Sequence, residues 1–432
     1  MKTIHTDGPS TIRVNKAVIA LAFLAVLTDG FDTAILAMLV PHLAQDWGTT
    51  AAAFTYPLVL TNVGVVAGYL SCGALSKHLG QKRLLVLGTA LFGFATILSA
   101  VTLPLESMAI LSITRGVTGL GLGVVLPMAV IVGTQNGPEG KRQPLAVMVT
   151  MGLISGATVA GFTGGPMIEG LGYSGVLWVS GLMPLVVAVL LQICVPWASD
   201  RLVSSKPGAP RTGIAAIFAG DHRRATLLLW VATFLVFTVT YTLKSWLPTL
   251  FGDYGLSKFD SGLGLAYYSL GGVVAGLVVM LLSAKIGTAR GLVPMSAIGA
   301  LATVALATLP VGTPALMAIT LVAGAGITAG SIGQTAIAVS IYEASVRTTG
   351  VGWSAACGRI GSILGPTVGG ILLALAWPAQ NIVLLLAAPI AITTVCWFIL
   401  PRLSNRVGKG GGAAPELMNE AGGPVVRDRS GS

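Results

Sequence analysis

The chain has 432 residues, 54% of them hydrophobic and 9% charged, with a mean hydropathy of +0.86. Soluble domains carry roughly 25% charged residues, so this composition excludes a soluble globular protein, and its hydrophobicity excludes disorder over most of the length. The net charge of +10 fits a membrane protein that keeps Lys and Arg on one side of the bilayer and gives no reason to invoke nucleic acid.

Lys2, Arg13 and Lys16 precede a first apolar run that is too long for a signal peptide and lacks a small-residue cleavage site, so it reads as a retained helix. Apolar windows of about 20 residues, the length that crosses roughly 30 Å of hydrocarbon, are expected at 17–40, 53–75, 84–104, 108–132, 145–167 and 175–195. A second set of six follows at 225–247, 262–284, 290–310, 314–338, 349–374 and 380–400. Between the sets lies a polar stretch with Ser204, Ser205, Pro207, Gly208 and Pro210. The expected organisation is an N-terminal six-helix bundle (1–196), a cytoplasmic linker (197–224), a C-terminal six-helix bundle (225–400) and a disordered cytoplasmic tail (401–432). Cys72, Cys194, Cys357 and Cys396 sit in apolar stretches without paired spacing, which indicates neither a disulfide framework nor a zinc site.

Charge placement gives the orientation. Of the 25 Lys and Arg, 21 fall on the side of the N-terminus, Lys258 alone falls opposite, and Arg115, Lys244 and Arg359 lie within spans. By the positive-inside bias both termini are cytoplasmic.

The halves echo each other. Leu75, Ser76, Gly80 and Arg83 recur 207 residues later as Leu282, Ser283, Gly287 and Arg290. Gly119 and Gly123 pair with Gly326 and Gly330 at the same offset, and Gly156, Gly164 and Gly165 recur as Gly361, Gly369 and Gly370 at an offset of 205. Parallel six-helix repeats about a central pathway are a transporter architecture. The glycines have a local reading as well: small residues four apart let helices approach closely in lipid.

Among the acidic residues, only Asp29 and Asp32 occupy the middle of an apolar span. A charge there costs about 2.5–3.5 kcal/mol on insertion scales, so it faces a protein-lined or aqueous cavity and needs a partner or a proton. At i and i+3 the two carboxylates share a helix face, and mutual repulsion favours taking up a proton. That suits proton coupling; the competing reading is a structural ion pair between helices. Arg115 and Arg359, one from each half, are the deep guanidinium groups and match a carboxylate bidentately. Arg115 serves equally well as a substrate ligand or as a tether to Asp32. Lys244, near the end of span seven, is either a substrate contact or a snorkelling residue. Gln334, Asn62 and Tyr241 are candidate hydrogen-bonding groups, and Trp246, Trp353, Tyr267 and Tyr268 candidate stacking groups. No nucleotide loop, metal motif or nucleophile constellation is present, so no cofactor and no enzymatic activity are expected, and transport must run on an ion or substrate gradient.

Asp29-Gly30-Phe31-Asp32-Thr33-Ala34 resembles the aspartate-pair motif of the aromatic acid:proton symporter family of the major facilitator superfamily. Arg115 with Gly119, Gly121 and Gly123, the run Trp246 to Thr249, and the string from Arg347 through Trp353, Arg359 and Pro366 are also similar to that family. The resemblance covers nearly all twelve spans. It implies the all-α major facilitator fold, with twelve transmembrane helices as two six-helix bundles in parallel pseudo-repeat. It also implies uptake of a hydroxybenzoate-, benzoate- or gentisate-type acid with protons across a bacterial inner membrane. On that basis Asp29 and Asp32 are the expected proton-coupling residues, and Arg115, Arg359, Gln334, Lys244 and Trp353 the expected substrate contacts. Gly73, Gly80, Arg83, Gly287 and Arg290 mark the gating loops. Partners are the aromatic acid, protons and the lipid bilayer, with the protein a monomer. Lys77 and Ala284 stand where the superfamily's loop motif is usually acidic, a departure that bears on gating. The alternatives are a carrier of another organic anion, such as a dicarboxylate or muconate, in import or export, and a non-transporting receptor.

Overall fold

A computed structural model describes residues 15–138, 142–195, 217–218, 222–342 and 347–410. The described residues are helical: α1 (Lys16–Asp46), α2 (Thr55–Leu79), α3 (Gln81–Thr102) and α4 (Met108–Gln135) lead into a long run, Arg142–Cys194. That run breaks at Gly172 (φ 68°, ψ 175°), a left-handed position that a glycine takes without steric cost. It therefore comprises α5 (142–171) and α6 (173–194). The second half contains α7 (His222–Asp253), α8 (Lys258–Ile286), α9 (Thr288–Thr308), α10 (Thr313–Ile341), α11 (Arg347–Ala374) and α12 (Ala379–Gly410). Twelve spans place the start of α1 and the end of α12 on one face, called the terminal face below; the opposite one is the far face. The segment expected as a linker lies largely outside the described residues, as do residues 411–432. Helix α12 continues ten residues beyond the expected span end at 400, because Pro401 leaves the helix unbroken.

Local chemistry sets the helix ends. Asn15 Oδ1 accepts from Val18 N at 3.3 Å, Ser107 Oγ from Ile110 N at 3.4 Å and Ser257 Oγ from Asp260 N at 3.0 Å, each satisfying an orphan N–H of a first turn. The tight joints between α2 and α3 and between α8 and α9 are Gly80 (φ 80°, ψ 163°) and Gly287 (φ 84°, ψ 146°). The same backbone shape at both places realises the echo read from the sequence.

The two halves also pack alike: α1 on α5, α2 on α4, and α3 on α4 and α6 in the first, α7 on α11, α8 on α10, and α9 on α10 and α12 in the second. Glycines carry these contacts. Gly156 lies against the Leu27 carbonyl of α1, and Gly361 against the Phe234 carbonyl of α7. Gly64 meets the Gly116 carbonyl, and Gly271 the Leu321 carbonyl. Backbone this close leaves no space for a Cβ. The contacts correct one pairing: Gly119 faces Thr61 while Gly324 faces Tyr268, and Gly121 faces Gly88 and Phe92 while Gly326 faces Gly299 and Met295. The counterparts of Gly119 and Gly121 are thus Gly324 and Gly326. The offset falls from 207 to 205 before α10, because α9 is one residue shorter than α3 and the α9–α10 connection one residue shorter than that between α3 and α4.

Between the halves the packing is one-sided. On the far-face side one continuous core joins Phe31, Met38 and Leu58 of the first half to Trp246, Leu250 and Leu265 of the second. There the Met38 thioether seats against both Gly164 and Gly262, Phe259 covers Gly165, and Thr55 abuts Gly370. Toward the terminal face the buried apolar residues form two separate clusters, one around Val26, Val125 and Val132, the other around Leu229, Val279 and Ile337. The halves are joined at the far face and parted at the terminal one.

Within the first half, α1 is locked by charge. Asp32 and Arg115 are both fully buried and pair bidentately, Nη1 to Oδ1 at 3.1 Å and Nη2 to Oδ2 at 2.6 Å. Thr96 and Ser180 each donate to Asp32 Oδ1 at 3.0 Å, so α1, α3, α4 and α6 meet at one carboxylate. The repeat counterparts of the pair are the buried Val239 and Thr320.

Two outcomes follow for stability. Gly156→Val, which drives a side chain into the α1 backbone, is expected to abolish the monodisperse detergent-purified fraction, whereas Gly252→Ala, with open space around it, leaves that fraction unchanged. Asp32→Asn or Arg115→Gln alone strands a buried charge and is expected to cost about 3–5 kcal/mol. Asp32→Val combined with Arg115→Thr removes both charges and should melt above either single variant in a thermal-shift assay; single variants melting like the parent would refute the lock.

Candidate functional site

Where the two halves meet, at the level at which the shared core gives way to the separate ones, lies a cavity of about 70 Å³. By that measure it has room for several waters. One wall comes from α1 and α2, with Asp29, Thr33, Asn62, Val65 and Tyr69; the facing wall comes from α7 and α11, with Tyr241, Lys244 and Arg359. Leu122, Leu126, Leu153 and Leu265 supply apolar surface.

Close glycine packing sets each charged group. Gly30, next to Asp29, lies against the Leu153 carbonyl of α5, and Gly156 returns the contact on α1. This pins α1 to α5 and fixes the rotation that turns Asp29 into the cavity. Arg359 sits between Gly358 and Gly361, and Gly361 and Gly365 bring α11 within contact of the α7 carbonyls of Phe234 and Thr238. That approach places Arg359 beside Tyr241 and Lys244.

The two aspartates have different surroundings. Asp29 is 7% exposed and lines the cavity, whereas Asp32 is 0% exposed and saturated by Arg115, Thr96 and Ser180. Asp29 has no cation within salt-bridge distance, although Lys244 and Arg359 line the same space. The Arg359 guanidinium lies over the Tyr69 ring, 4.0 Å from its centroid, and Lys244 Nζ lies 5.8 Å from the Tyr241 centroid; both are cation–π geometries. Tyr241 in turn stacks on Phe237 with centroids 6.2 Å apart.

Of the expected substrate contacts, Arg359 and Lys244 reach the cavity, and Lys244 turns inward where snorkelling was the competing reading. Arg115 does not, its guanidinium being closed on Asp32. Gln334 is engaged within the second half, accepting from Ser354 Oγ at 3.0 Å and donating to Thr335 Oγ1 at 2.8 Å. Trp353 stacks on Trp230 with centroids 5.9 Å apart and does not line the cavity. Trp246 is buried and donates to the Pro366 carbonyl at 2.9 Å; Tyr268 is buried in the shared core, and Tyr267 meets Phe162 edge-on. Tyr69 and Thr33 were not singled out from sequence. Tyr69 carried a signal: it lies seven residues after Asn62, two helical turns along the same face. Gly80 and Gly287 form the joints described above, Gly73 has no neighbour that a Cβ would meet, and Arg83 and Arg290 are exposed on the terminal face. The side chains at 77 and 284 lie outside the described residues. Among the described residues no three His, Cys, Asp or Glu side chains gather as a metal would require.

Comparison with known proteins supplies the family. The family model for the Major Facilitator Superfamily matches residues 22–311 and 229–429. A 4-hydroxybenzoate transporter of Pseudomonas aeruginosa is 31% identical over 410 residues, 87% of this chain and 90% of the relative. A 3-(3-hydroxy-phenyl)propionate transporter of Escherichia coli is 30% identical, covering 90% of this chain and 94% of its own length. A gallate transporter of Pseudomonas putida is 29% identical over 86% and 88% of the two chains. Among solved structures, a bacterial homologue of the human lysosomal transporter Spinster, inward-facing and occupied, superposes with a TM-score of 0.64 at 16% identity, over 91% of this chain and 96% of that one. The similarity to the Spinster homologue extends to the fold, while the similarity in sequence extends to the family. The chain belongs to the Major Facilitator Superfamily and, within it, to the aromatic acid transporter family.

Proposed function

We propose that this protein imports an aromatic carboxylate of the hydroxybenzoate, gentisate or benzoate type together with protons. It works as a monomer in a bacterial inner membrane, with the terminal face cytoplasmic. The observation that carries the reading is the central cavity, in which one carboxylate of the first half, Asp29, faces two cations of the second, Arg359 and Lys244. The names of the relatives support the substrate class.

In this reading the substrate carboxylate docks on Arg359, whose planar fork matches it, with its ring between tyrosine faces and leucine side chains. Lys244 adds a second positive charge. Asp29 and the substrate compete for the same two cations. When Asp29 takes a proton its charge no longer balances theirs across the cavity, and the incoming anion replaces the charge that was lost. Proton and anion together leave the charge of the site unchanged. Either one alone would leave an uncompensated charge in a low-dielectric interior, which is strongly unfavourable. The far-face seal of Met38, Phe259 and Thr55 then corresponds to closure toward the outside, and the parted terminal clusters to an inward-facing state. Release inside follows when Asp29 gives up its proton and its charge again balances the two cations. Asp32, held by Arg115, positions α1 in this scheme and takes no part in the exchange.

Uptake of radiolabelled 4-hydroxybenzoate, gentisate and benzoate into proteoliposomes, with and without an imposed inward proton gradient, tests this. Gradient-dependent accumulation that an uncoupler collapses is expected; no uptake of any acid by folded protein would overturn it. Asp29→Asn is expected to retain substrate exchange while losing accumulation, and accumulation by that variant would remove Asp29 from the coupling. Arg359→Gln loses a charge-assisted hydrogen bond of about 1.5–3 kcal/mol, so apparent affinity should fall roughly ten- to hundredfold.

A further inference from the structure

Asn62 adds a second recognition element to the cavity. Its Nδ2 donates to the Leu58 carbonyl at 2.9 Å, one turn back along α2. Only the NH₂ end of an amide can donate to a carbonyl, so this bond fixes which way the side chain points. Oδ1 is left at the other end with no partner, in a half-buried residue that lines the cavity. The remaining polar groups of the lining are poorer acceptors for a substrate proton. Arg359 and Lys244 are donors only. Asp29 is taken up by the proton exchange proposed above. Thr61 is buried and donates to the Pro57 carbonyl at 2.6 Å. The hydroxyls of Thr33 and Tyr241 are the rival acceptors, Tyr69 lying against the Arg359 guanidinium.

The placement of Asn62 gives the recognition a direction. Tyr69, which contacts the Arg359 guanidinium, lies seven residues further along α2, and Val65 lies between them on the same cavity-facing stripe. At 1.5 Å per residue the two positions are about 10 Å apart, on the order of a single-ring hydroxy acid with a hydrogen bond at each end. Arg359 and Tyr69 thus mark a carboxylate end, and Asn62 marks the end where the ring substituent falls.

We infer that Asn62 is a specificity-determining residue whose side-chain oxygen accepts the proton of a ring hydroxyl opposite the carboxylate, so that the site selects hydroxylated aromatic acids over unsubstituted ones. This inference rests on the transport reading above. Its physical basis is that an acceptor which bound substrate shuts off from water, and which keeps its partner with one substrate and loses it with another, discriminates against the second.

The test is transport of 4-hydroxybenzoate and benzoate, measured as kcat/KM for each by the full-length protein in proteoliposomes, with binding to the purified protein followed in parallel by thermal shift. The parent protein is expected to prefer 4-hydroxybenzoate by about tenfold or more. Asn62→Leu should collapse that ratio toward one, Asn62→Thr, which keeps an acceptor oxygen, should restore part of it, and Thr33→Val and Tyr241→Phe should each leave it above that of Asn62→Leu. An equal preference in the parent, a ratio unchanged in Asn62→Leu, or a collapse in Thr33→Val or Tyr241→Phe alone would overturn the inference while the transport reading stands. Folded parent protein that neither binds nor transports either acid would overturn the inference, and failure with gentisate as well would overturn both.

Discussion

A carboxylate in the middle of a membrane-spanning helix must find a partner or water, and α1 meets that requirement in two different ways three residues apart. Asp32 finds its partner inside its own half: a bidentate guanidinium and two hydroxyls fill its lone pairs and join four helices at one point. Asp29 finds the cavity between the halves. Two residues that look equivalent in sequence therefore divide the labour. One is stationary because everything around it belongs to the same rigid unit. The other faces cations that belong to the other half.

The frame that presents these charges is symmetric, and the charges are where the symmetry ends. Helix contacts in the two halves repeat almost residue for residue, down to Gly156 on Leu27 and Gly361 on Phe234. Yet Asp29 and Asp32 correspond to Val236 and Val239, Arg115 corresponds to Thr320, and Arg359 corresponds to Ile154. All four counterparts are buried among apolar or hydroxyl-bearing neighbours. Packing that relies on backbone approach between glycines tolerates this divergence, since it places few demands on the side chains projecting elsewhere. A duplicated scaffold can then carry an acidic wall on one side of the cavity and a basic wall on the other.

Much of the fold was legible because its signals are long: spans of about twenty apolar residues and a repeat anchored at Gly80 and Gly287. Asp29 and Arg359 were legible as well, since an intramembrane charge is conspicuous. What sequence did not resolve was helix rotation. Residues three apart on a helix differ by about 60° around its axis, enough to turn Asp32 onto α4 while Asp29 faces the cavity. The same ambiguity hid the inward turn of Lys244 and sent Gln334 and Trp353 to partners within the second half. Tyr69 escaped notice because an aromatic residue in a span is ordinarily packing, and its role depends on a guanidinium 290 residues away in sequence. The two-residue shift in glycine pairing arose from a shorter α9 and a shorter connection before α10, each by one residue, which identical residues on either side masked.

The position of Asp29 along α1 connects these points. Residues up to Val26 belong to the core that stays within the first half, and residues from Phe31 onward belong to the core shared across the far face. Asp29 lies between them, at the depth where the halves begin to part. A rocking motion that separates the far-face contacts and closes the terminal ones would pivot near this level, so the carboxylate can exchange one access route for the other with little displacement of its own. The Asp32–Arg115 lock moves with the first half and so preserves the orientation of Asp29 throughout. On this geometry the residue proposed to carry the proton sits where access changes most and its own backbone changes least. In the proposed exchange, coupling would follow from this placement on a pivot.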